Sequence, residues 1–276
     1  MRFALILFLC APVIASENND PVFTVQGNGK ALVYHRSELL KSKHLKSVVI
    51  TDDPHYPGRS IVFQAIPVGA LFDSISIPKN STVQFTASDG FSGTVDSARF
   101  FNGSQNEAHA FLAVESPEHQ WLAARENDPK DLGPFYLVWE NAKASHIVGE
   151  EWPYELVKFE LKESAEVEFP HLQPDTKVSA NDPVRQGQKV FMQNCFSCHT
   201  LNREGTSHMG PDLNVPYNPV EYFKGYFFEK YVRNVEAVHV WPENKMSRFP
   251  KEVLSDTDFK NLKVYLAYMS KHKVSP

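Results

Sequence analysis

The pentapeptide Cys195-Phe196-Ser197-Cys198-His199 constrains this chain more than any other feature. Its spacing is C-x-x-C-H, the attachment signal of a c-type haem. Each thiol adds across a haem vinyl group to form a thioether, and the adjacent imidazole reaches the iron from the proximal side. A zinc site would need a second pair of ligands, and a redox-active C-x-x-C pair would need a surrounding βαβ pattern, neither of which is present. We therefore predict one covalent haem c held by Cys195 and Cys198, with His199 as an iron ligand.

The first sixteen residues have the character of a secretory signal peptide. Arg2 supplies the positive charge, an apolar stretch follows, and Val13-Ile14-Ala15 offers an acceptable cleavage site. A lipoprotein signal at Cys10 is the alternative, although a leucine precedes this cysteine where a small residue is expected. The apolar stretch is too short for a stable membrane anchor, and no later stretch is long and apolar enough. Because c-type haem is attached outside the cytoplasm, we expect a soluble periplasmic protein.

The 276 residues suit two domains of ordinary size. We predict a signal peptide at 1–16, an α+β domain at 17–165, a linker at 166–181 and a haem-binding domain at 182–276. The linker stretch contains prolines and lacks hydrophobic periodicity, which predicts an extended connection.

Charge is distributed unevenly between the two parts of the chain. Residues 181–276 contain 13 Lys and Arg against 10 Asp and Glu, whereas residues 1–180 contain 15 against 23. No basic cluster indicates nucleic-acid binding. The asymmetry fits steering of a redox partner protein, and it fits attraction between the two domains equally well.

Residues 17–165 read as strands and turns with few helices. Gly27-Asn28-Gly29 separates two β-type runs and predicts a hairpin, and a short helix is expected at 37–40. The stretch at 47–51 has the composition of a buried strand. The predicted strands are 22–25, 31–34, 47–51, 82–86, 110–114, 135–139 and 154–161. This pattern indicates an α+β domain that is mainly β.

Three stretches of this region carry a family resemblance: 65–72 (AIPVGALF), 87–91 (ASDGF) and 133–139 (GPFYLVW) followed by 152–161. Together they resemble the molybdopterin-binding domain of the sulfite oxidase family, which implies a sulfite-oxidase-like fold. That family holds molybdenum with a cysteine thiolate of this domain, and residues 17–194 contain no cysteine. We therefore expect no molybdenum site of the family type.

Four polar side chains of this region, His55, Arg59, His109 and His119, are candidates for a polar cleft. No metal-ligand spacing links them, so the simpler interpretation is a set of surface or internally satisfied side chains.

The C-terminal part has two helices with matching faces. Asp182 and Pro183 form an N-terminal helix signal, and Gly187, Phe191 and Cys195 then recur on one face. Tyr265 lies on the apolar face of a last helix that starts at 255–258. This arrangement resembles class I cytochromes c, which implies that Gly187 and Phe191 pack against Tyr265 in an all-α domain.

Gly210-Pro211-Asp212-Leu213 matches the turn found beneath the proximal histidine in class I cytochromes c. The resemblance implies that the Pro211 carbonyl accepts a hydrogen bond from His199, which orients the imidazole and makes it more electron-rich.

The sixth iron ligand is expected to be Met246, in the stretch Met246-Ser247-Arg248-Phe249. The family often has proline where Ser247 stands, so the stiffness of this loop is open. His239 is the main rival ligand. The remaining candidates are His208, Met209 and Met269. Trp241 is expected either to donate its indole N–H to a haem propionate or to join the aromatic core.

The predicted function is electron transfer by a periplasmic monohaem c-type cytochrome with an N-terminal binding or docking domain. One alternative is an oxidoreductase whose N-terminal domain passes electrons to its own haem. Another is a sensor in which Met246 gives way to a gas ligand. Two axial ligands leave no open iron position, which disfavours oxygen chemistry.

Overall fold

The computed structural model describes residues 20–121, 132–207, 209–244 and 246–275. The predicted signal peptide, Cys10 and His208 lie outside the described residues. Among the described residues, nine strands and three short helices precede residue 163. The strands are β1 Val22–Gly27, β2 Lys30–His35, β3 Lys46–Ile50, β4 Ile61–Pro67, β5 Thr82–Ala87, β6 Ser92–Asp96, β7 His109–Val114, β8 Phe135–Glu140 and β9 Leu156–Lys162. The helices are α1 Arg36–Leu39, α2 Val68–Leu71 and α3 Ser97–Phe100, with 3₁₀ turns at Ala142–Ser145 and Gly149–Glu151.

The strands form two sheets. The five-stranded sheet has the order β2-β1-β9-β5-β6, in which β1 and β9 are parallel and the other pairs are antiparallel. The four-stranded sheet β3-β4-β7-β8 is antiparallel throughout. Aromatic side chains join the inner faces, as where the rings of Phe23 on β1 and Phe135 on β8 lie 5.4 Å apart. The mainly β character predicted for this region is confirmed.

The predicted β1–β2 hairpin is confirmed, and its turn explains why. Asn28 and Gly29 have φ angles of 51° and 73°, the left-handed conformation that a two-residue turn between twisted strands requires. Asparagine and glycine adopt this conformation at low cost, so Gly27 pairs directly with Lys30.

One expectation for the sheets was wrong, and two strands were missed. The stretch at 47–51 is not a buried strand, because β3 lies at a sheet edge and Val49 is 55% exposed beside Val62 on the outer face. The sequence pattern also missed β4 and β6. Residues 65–72 begin as the end of β4 and turn into α2 only at Val68.

The stretch between the two parts is not extended, contrary to expectation. It contains α4 Ala165–Glu168 and a 3₁₀ turn at Pro170–Leu172. Phe169 and Leu172 are buried with the C-terminal core, and the carbonyl oxygen of Leu172 accepts a 2.7 Å hydrogen bond from the Tyr265 hydroxyl. Tertiary packing thus draws this segment onto the domain that follows it.

The C-terminal part is helical, as predicted. Its helices are α5 Pro183–Asn194, α6 Pro219–Tyr222, α7 Phe227–Arg233 and α8 Asp256–Met269, with a 3₁₀ turn at Val235–Ala237. Its buried apolar side chains form a cluster separate from that of the two sheets. In the part of the chain that the structure describes, no helix has the length and apolar character needed to cross a membrane.

Candidate functional site

The C-x-x-C-H pentapeptide follows directly from α5. Asp182 caps this helix by accepting a 2.8 Å hydrogen bond from the backbone N–H of Val184, and a proline occupies the first turn. The helix ends at Cys195, whose carbonyl accepts from the N–H groups of Cys198, at 3.1 Å, and His199, at 2.9 Å. A single tight turn therefore holds the two thiols and the imidazole near one another.

Helices α5 and α8 cross at Gly187. A Cβ atom at this position would lie 2.0 Å from the carbonyl oxygen of Asn261 and 2.7 Å from the Cβ of Tyr265. The rings of Phe191 and Tyr265 are 5.7 Å apart, and both side chains are fully buried. The predicted packing of these two helices is confirmed, and it fixes the position of the pentapeptide at the end of α5.

His199 is oriented by a hydrogen bond on one side of its ring. Its Nδ1 atom lies 2.8 Å from the carbonyl oxygen of Pro211, as predicted. Since a carbonyl only accepts, Nδ1 carries the proton and Nε2 keeps its lone pair. Burial lowers the pKa of His199, while the Pro211 carbonyl and the nearby Asp212 oppose that shift. The imidazole is therefore held neutral, with Nε2 available as a ligand.

Gly210 is required for this orientation. A Cβ atom on Gly210 would lie 2.4 Å from Cε1 of His199, and its backbone N–H donates to the Cys198 carbonyl at 2.8 Å. Glycine here allows the loop to pass directly beneath the imidazole.

Asp212 organises the proximal loop, a role that sequence reasoning missed although the residue lies in the predicted turn. One of its carboxylate oxygens accepts from the Thr200 hydroxyl at 2.9 Å and from the Arg203 N–H at 2.6 Å. The other accepts from the N–H groups of Asn214 and Val215, each at 2.7 Å. These bonds hold the Pro211 carbonyl in place under His199.

Three buried asparagines tie this loop to α8. The Asn214 amide donates to Asn202 Oδ1 at 2.7 Å and to the Met269 carbonyl at 2.8 Å, and the Asn218 amide donates to Asn214 Oδ1 at 2.9 Å and to the Leu266 carbonyl at 3.0 Å. The Leu266 and Met269 carbonyls also accept from the N–H groups of Ser270 and His272, each at 2.8 Å, so the asparagine amides add a second hydrogen bond to each carbonyl at the end of α8. No spacing signal in the sequence identifies this ladder.

The thiols of Cys195 and Cys198 are free and partly or fully enclosed. Burial raises the pKa of both thiols, and the carboxylate of Glu150, from the 3₁₀ turn at Gly149–Glu151, raises both further. A hydrogen bond from the Ser197 side chain lowers the pKa of the Cys198 thiol, and the negative charge of the exposed Asp89 raises it. The site is therefore bordered by residues of the N-terminal part, which the sequence did not predict.

The helical C-terminal part is similar to known proteins. The family model described as "Cytochrome c" matches residues 184–270. A protein of Theileria annulata described as "Cytochrome c" is 42% identical over 41 residues, which are 15% of this chain and 35% of that protein. Residues 184–270 are a cytochrome c domain. The chain spans about a third of the length of that relative.

The residues present in the cytochrome c domain fit a haem c. Two thiols at the required spacing stand beside a neutral imidazole with a free Nε2, and Gly210 leaves the space in which that ring lies.

The structure separates the candidates for the sixth ligand by their surroundings. Met246 is half-buried against the core of the cytochrome c domain, and its N–H donates to Asn244 Oδ1 at 3.2 Å. Met269 is 1% exposed within the core on α8, whereas Met209 and His239 are exposed. Trp241 is 45% exposed with its ring 4.6 Å from that of His239, so the expectation that it joins the core is wrong.

The four polar candidates of the N-terminal part have separate partners. His109 Nε2 lies 2.8 Å from the Ser104 carbonyl, with Nδ1 3.5 Å from Glu140. Arg59 is exposed, and His119 lies in a turn with Ser116. Among the described residues, no three His, Cys, Asp or Glu side chains are grouped so as to hold a metal ion.

His55 belongs to a buried polar cluster that sequence reasoning missed. The Tyr136 hydroxyl donates to Asp53 Oδ1 at 2.8 Å and accepts from His55 Nδ1 at 2.9 Å. Burial and the Asp53 carboxylate raise the pKa of Tyr136 well above its usual value, so its hydroxyl stays a donor. Asp53 Oδ2 is buried and has no hydrogen-bond partner among the residues that the structure describes. The residues around Tyr136 in the sequence are apolar and give no sign of this cluster, because its members come from distant segments of the chain.

Proposed function

We propose that this protein is a periplasmic monohaem c-type cytochrome that transfers electrons, and that its N-terminal domain is a docking module on a sulfite-oxidase-like scaffold. The observation that carries the proposal is the neutral imidazole of His199, fixed through Pro211 next to two free thiols at haem-attachment spacing.

Each residue of the site has a role in this proposal. Cys195 and Cys198 anchor the haem, and His199 Nε2 binds its iron. Met246 supplies the sixth ligand, supported by its half-buried place beside the core. Trp241 stands at the haem edge as a donor to a propionate. A haem held by these residues would supply one-electron chemistry, and iron bound by both His199 and Met246 would favour electron transfer over oxygen activation.

The attachment is tested with the double variant C195A/C198A. We expect complete loss of covalent haem, because each thioether needs its own thiol. Haem staining of the denatured protein after electrophoresis measures this, with Met246→Ala as the control that keeps both thiols. Haem that remains on the denatured double variant would contradict the assignment.

The sixth ligand is tested with Met246→Ala and His239→Ala, compared in the oxidised state. Met246→Ala is expected to remove the methionine-to-iron absorption band and to lower the reduction potential, because a thioether favours Fe(II) over Fe(III). His239→Ala is expected to change neither. The opposite result would transfer the ligand role to His239.

An oxidoreductase remains the second candidate, because the Asp53–Tyr136–His55 cluster places ionisable groups together in the N-terminal domain. A metal inventory of the native protein separates the two functions. Iron alone supports the electron carrier, and molybdenum in stoichiometric amount with iron supports the enzyme. Haem reduction by sulfite is expected to be negligible in the carrier.

A further inference from the structure

The N-terminal domain touches the haem-attachment segment at two places. On β6, a Cβ atom added to Gly93 would lie 3.3 Å from the Cβ of Ser197, which stands between the two cysteines. The 3₁₀ turn at Gly149–Glu151 lies against α5, the helix that ends at Cys195. The attachment edge is therefore an internal boundary between the two parts of the chain.

Glu150 is a half-buried acidic side chain at this boundary. Its Oε2 atom is buried and has no hydrogen-bond partner in the described part of the chain. Burial raises the pKa of Glu150 to about 7; its own backbone N–H opposes the shift, and the neighbouring Glu151 adds to it. The carboxylate lies close enough to Cys195 and Cys198 to raise the pKa of both thiols.

The other charges around Glu150 do not neutralise it. Glu151 is paired with Arg99 at 2.8 Å, so this guanidinium is already engaged by another carboxylate. Asp89, near Cys198, is acidic and exposed. Within the described residues, no salt bridge joins Glu150 to a cation. Its charge therefore acts on its surroundings without a counterion, in a site where water screens it little.

We propose that Glu150 is a positioning residue through which the N-terminal domain sets the reduction potential of the attached haem. This inference rests on the proposed function, because it requires haem at Cys195 and Cys198. An ionised carboxylate beside the attachment edge favours the oxidised, more positive iron and lowers the potential. When the carboxyl is protonated this effect disappears, so the potential depends on pH through Glu150.

The test compares full-length haem-loaded wild type, Glu150→Gln and Asp89→Asn by spectroscopic redox titration. At pH about 8.5, above the pKa of Glu150, Glu150→Gln is expected to favour reduction about tenfold, which is about 59 mV for a one-electron couple. At pH about 5.5 the wild-type carboxyl is protonated as well, and the two proteins are expected to have the same potential. Because propionates are common to both proteins, they do not contribute to the difference.

Asp89→Asn is the matched control, since Asp89 is also near Cys198 but exposed. Its effect is expected to be smaller and to shrink as salt is added. Equal potentials for wild type and Glu150→Gln at pH about 8.5 would overturn the inference, and so would a difference that persists unchanged at pH about 5.5.

Failure of the proposed function and failure of the inference about Glu150 give different results. If the wild type itself carries no covalent haem on a denaturing gel, the proposed function fails. If only Glu150→Gln fails to acquire covalent haem, the reduction potentials of the two proteins cannot be compared. Infrared difference spectra of the wild type, taken as reduced minus oxidised near pH 7, are then the measurement. Uptake of a proton by a carboxyl on reduction is then expected, and Glu150→Asp is expected to keep it. A spectrum without a carboxyl signal would overturn the inference.

Discussion

The two domains bury their aromatic residues in different ways. In the N-terminal domain the rings pack on one another between the sheets; Phe159, for example, lies 4.9 Å from Phe23 and 5.1 Å from Phe100. Its exposed large apolar side chains are aliphatic residues; some stand singly, such as Val33 and Ile77, and Val49 and Val62 lie side by side on neighbouring strands. Isolated exposed aliphatic residues are normal for a self-contained domain.

The cytochrome c domain instead leaves several aromatic residues exposed along a short stretch. Those exposed are Tyr217, Tyr222, Tyr226, Phe227 and Trp241. The comparison teaches that the N-terminal part encloses its large rings between two sheets, whereas the cytochrome c domain encloses some rings, such as Phe191 and Tyr265, and leaves others at its surface.

The largest effect is expected from Leu172→Ala, which tests where the cytochrome c domain begins. Leu172 is fully buried in the cytochrome cluster although it lies in the segment predicted to be a linker. Truncation leaves a cavity and is expected to lower the free energy of unfolding of this domain by about 2–5 kcal/mol. Denaturant titration followed by the far-ultraviolet helical signal measures it.

Leu137→Ala is the matched control, because Leu137 is fully buried on β8 in the other core. Tryptophan fluorescence reports mainly on that domain, which contains three of the four tryptophans of the chain. We expect Leu137→Ala to shift the fluorescence transition and Leu172→Ala to shift the helical one. If the unfolding transition followed by the helical signal did not shift in Leu172→Ala, residues 166–181 would be a linker and would not belong to the cytochrome c domain.

A smaller effect is expected from Gly187→Ala, which tests the helix crossing. The new Cβ would lie 2.0 Å from the Asn261 carbonyl oxygen, and a backbone atom of α8 cannot move without moving the helix. Overpacking of this kind costs about 1–3 kcal/mol of unfolding free energy, measured by the helical signal of the haem-loaded protein. Gly69→Ala on α2 is the control, since no atom lies within 4 Å of its added Cβ. Equal stabilities for the two variants would show that α5 and α8 do not depend on this close approach.

The sequence predicted features that are determined by a few neighbouring residues or by a strong motif. The turn at Asn28 and Gly29, the cap of α5 at Asp182 and the bond between His199 and Pro211 are of this kind. In each case local geometry restricts the residue types, so the pattern identifies the structure.

What the sequence did not predict depends on contacts between distant segments. Phe169 and Leu172 lie in a stretch without periodicity, and only packing against α5 and α8 buries them. Glu150 lies in an ordinary acidic turn, and nothing in the sequence indicates that this turn contacts α5 or that Glu150 Oε2 is buried. The short strand β6 contains Gly93 and three other residues of low apolar character, so it produces little alternation.

The smallest effect is expected from Tyr136→Phe, which tests the polar cluster inside the N-terminal core. The change removes the hydroxyl that donates to Asp53 at 2.8 Å and accepts from His55 at 2.9 Å, and leaves a buried carboxylate with one partner fewer. A cost of about 1–2 kcal/mol in unfolding free energy follows from the loss of hydrogen bonds to a buried charged group. Denaturant titration followed by tryptophan fluorescence measures it.

Tyr34→Phe is the control for this last variant, because the Tyr34 hydroxyl also donates one hydrogen bond, to the Leu71 carbonyl at 2.9 Å, but is only partly buried. Water can replace that partner, so its loss is expected to cost less. A cost for Tyr136→Phe no greater than for Tyr34→Phe would mean that the cluster does not stabilise the sheets. The aromatic packing between the two sheets would then stabilise the N-terminal core without a contribution from this cluster.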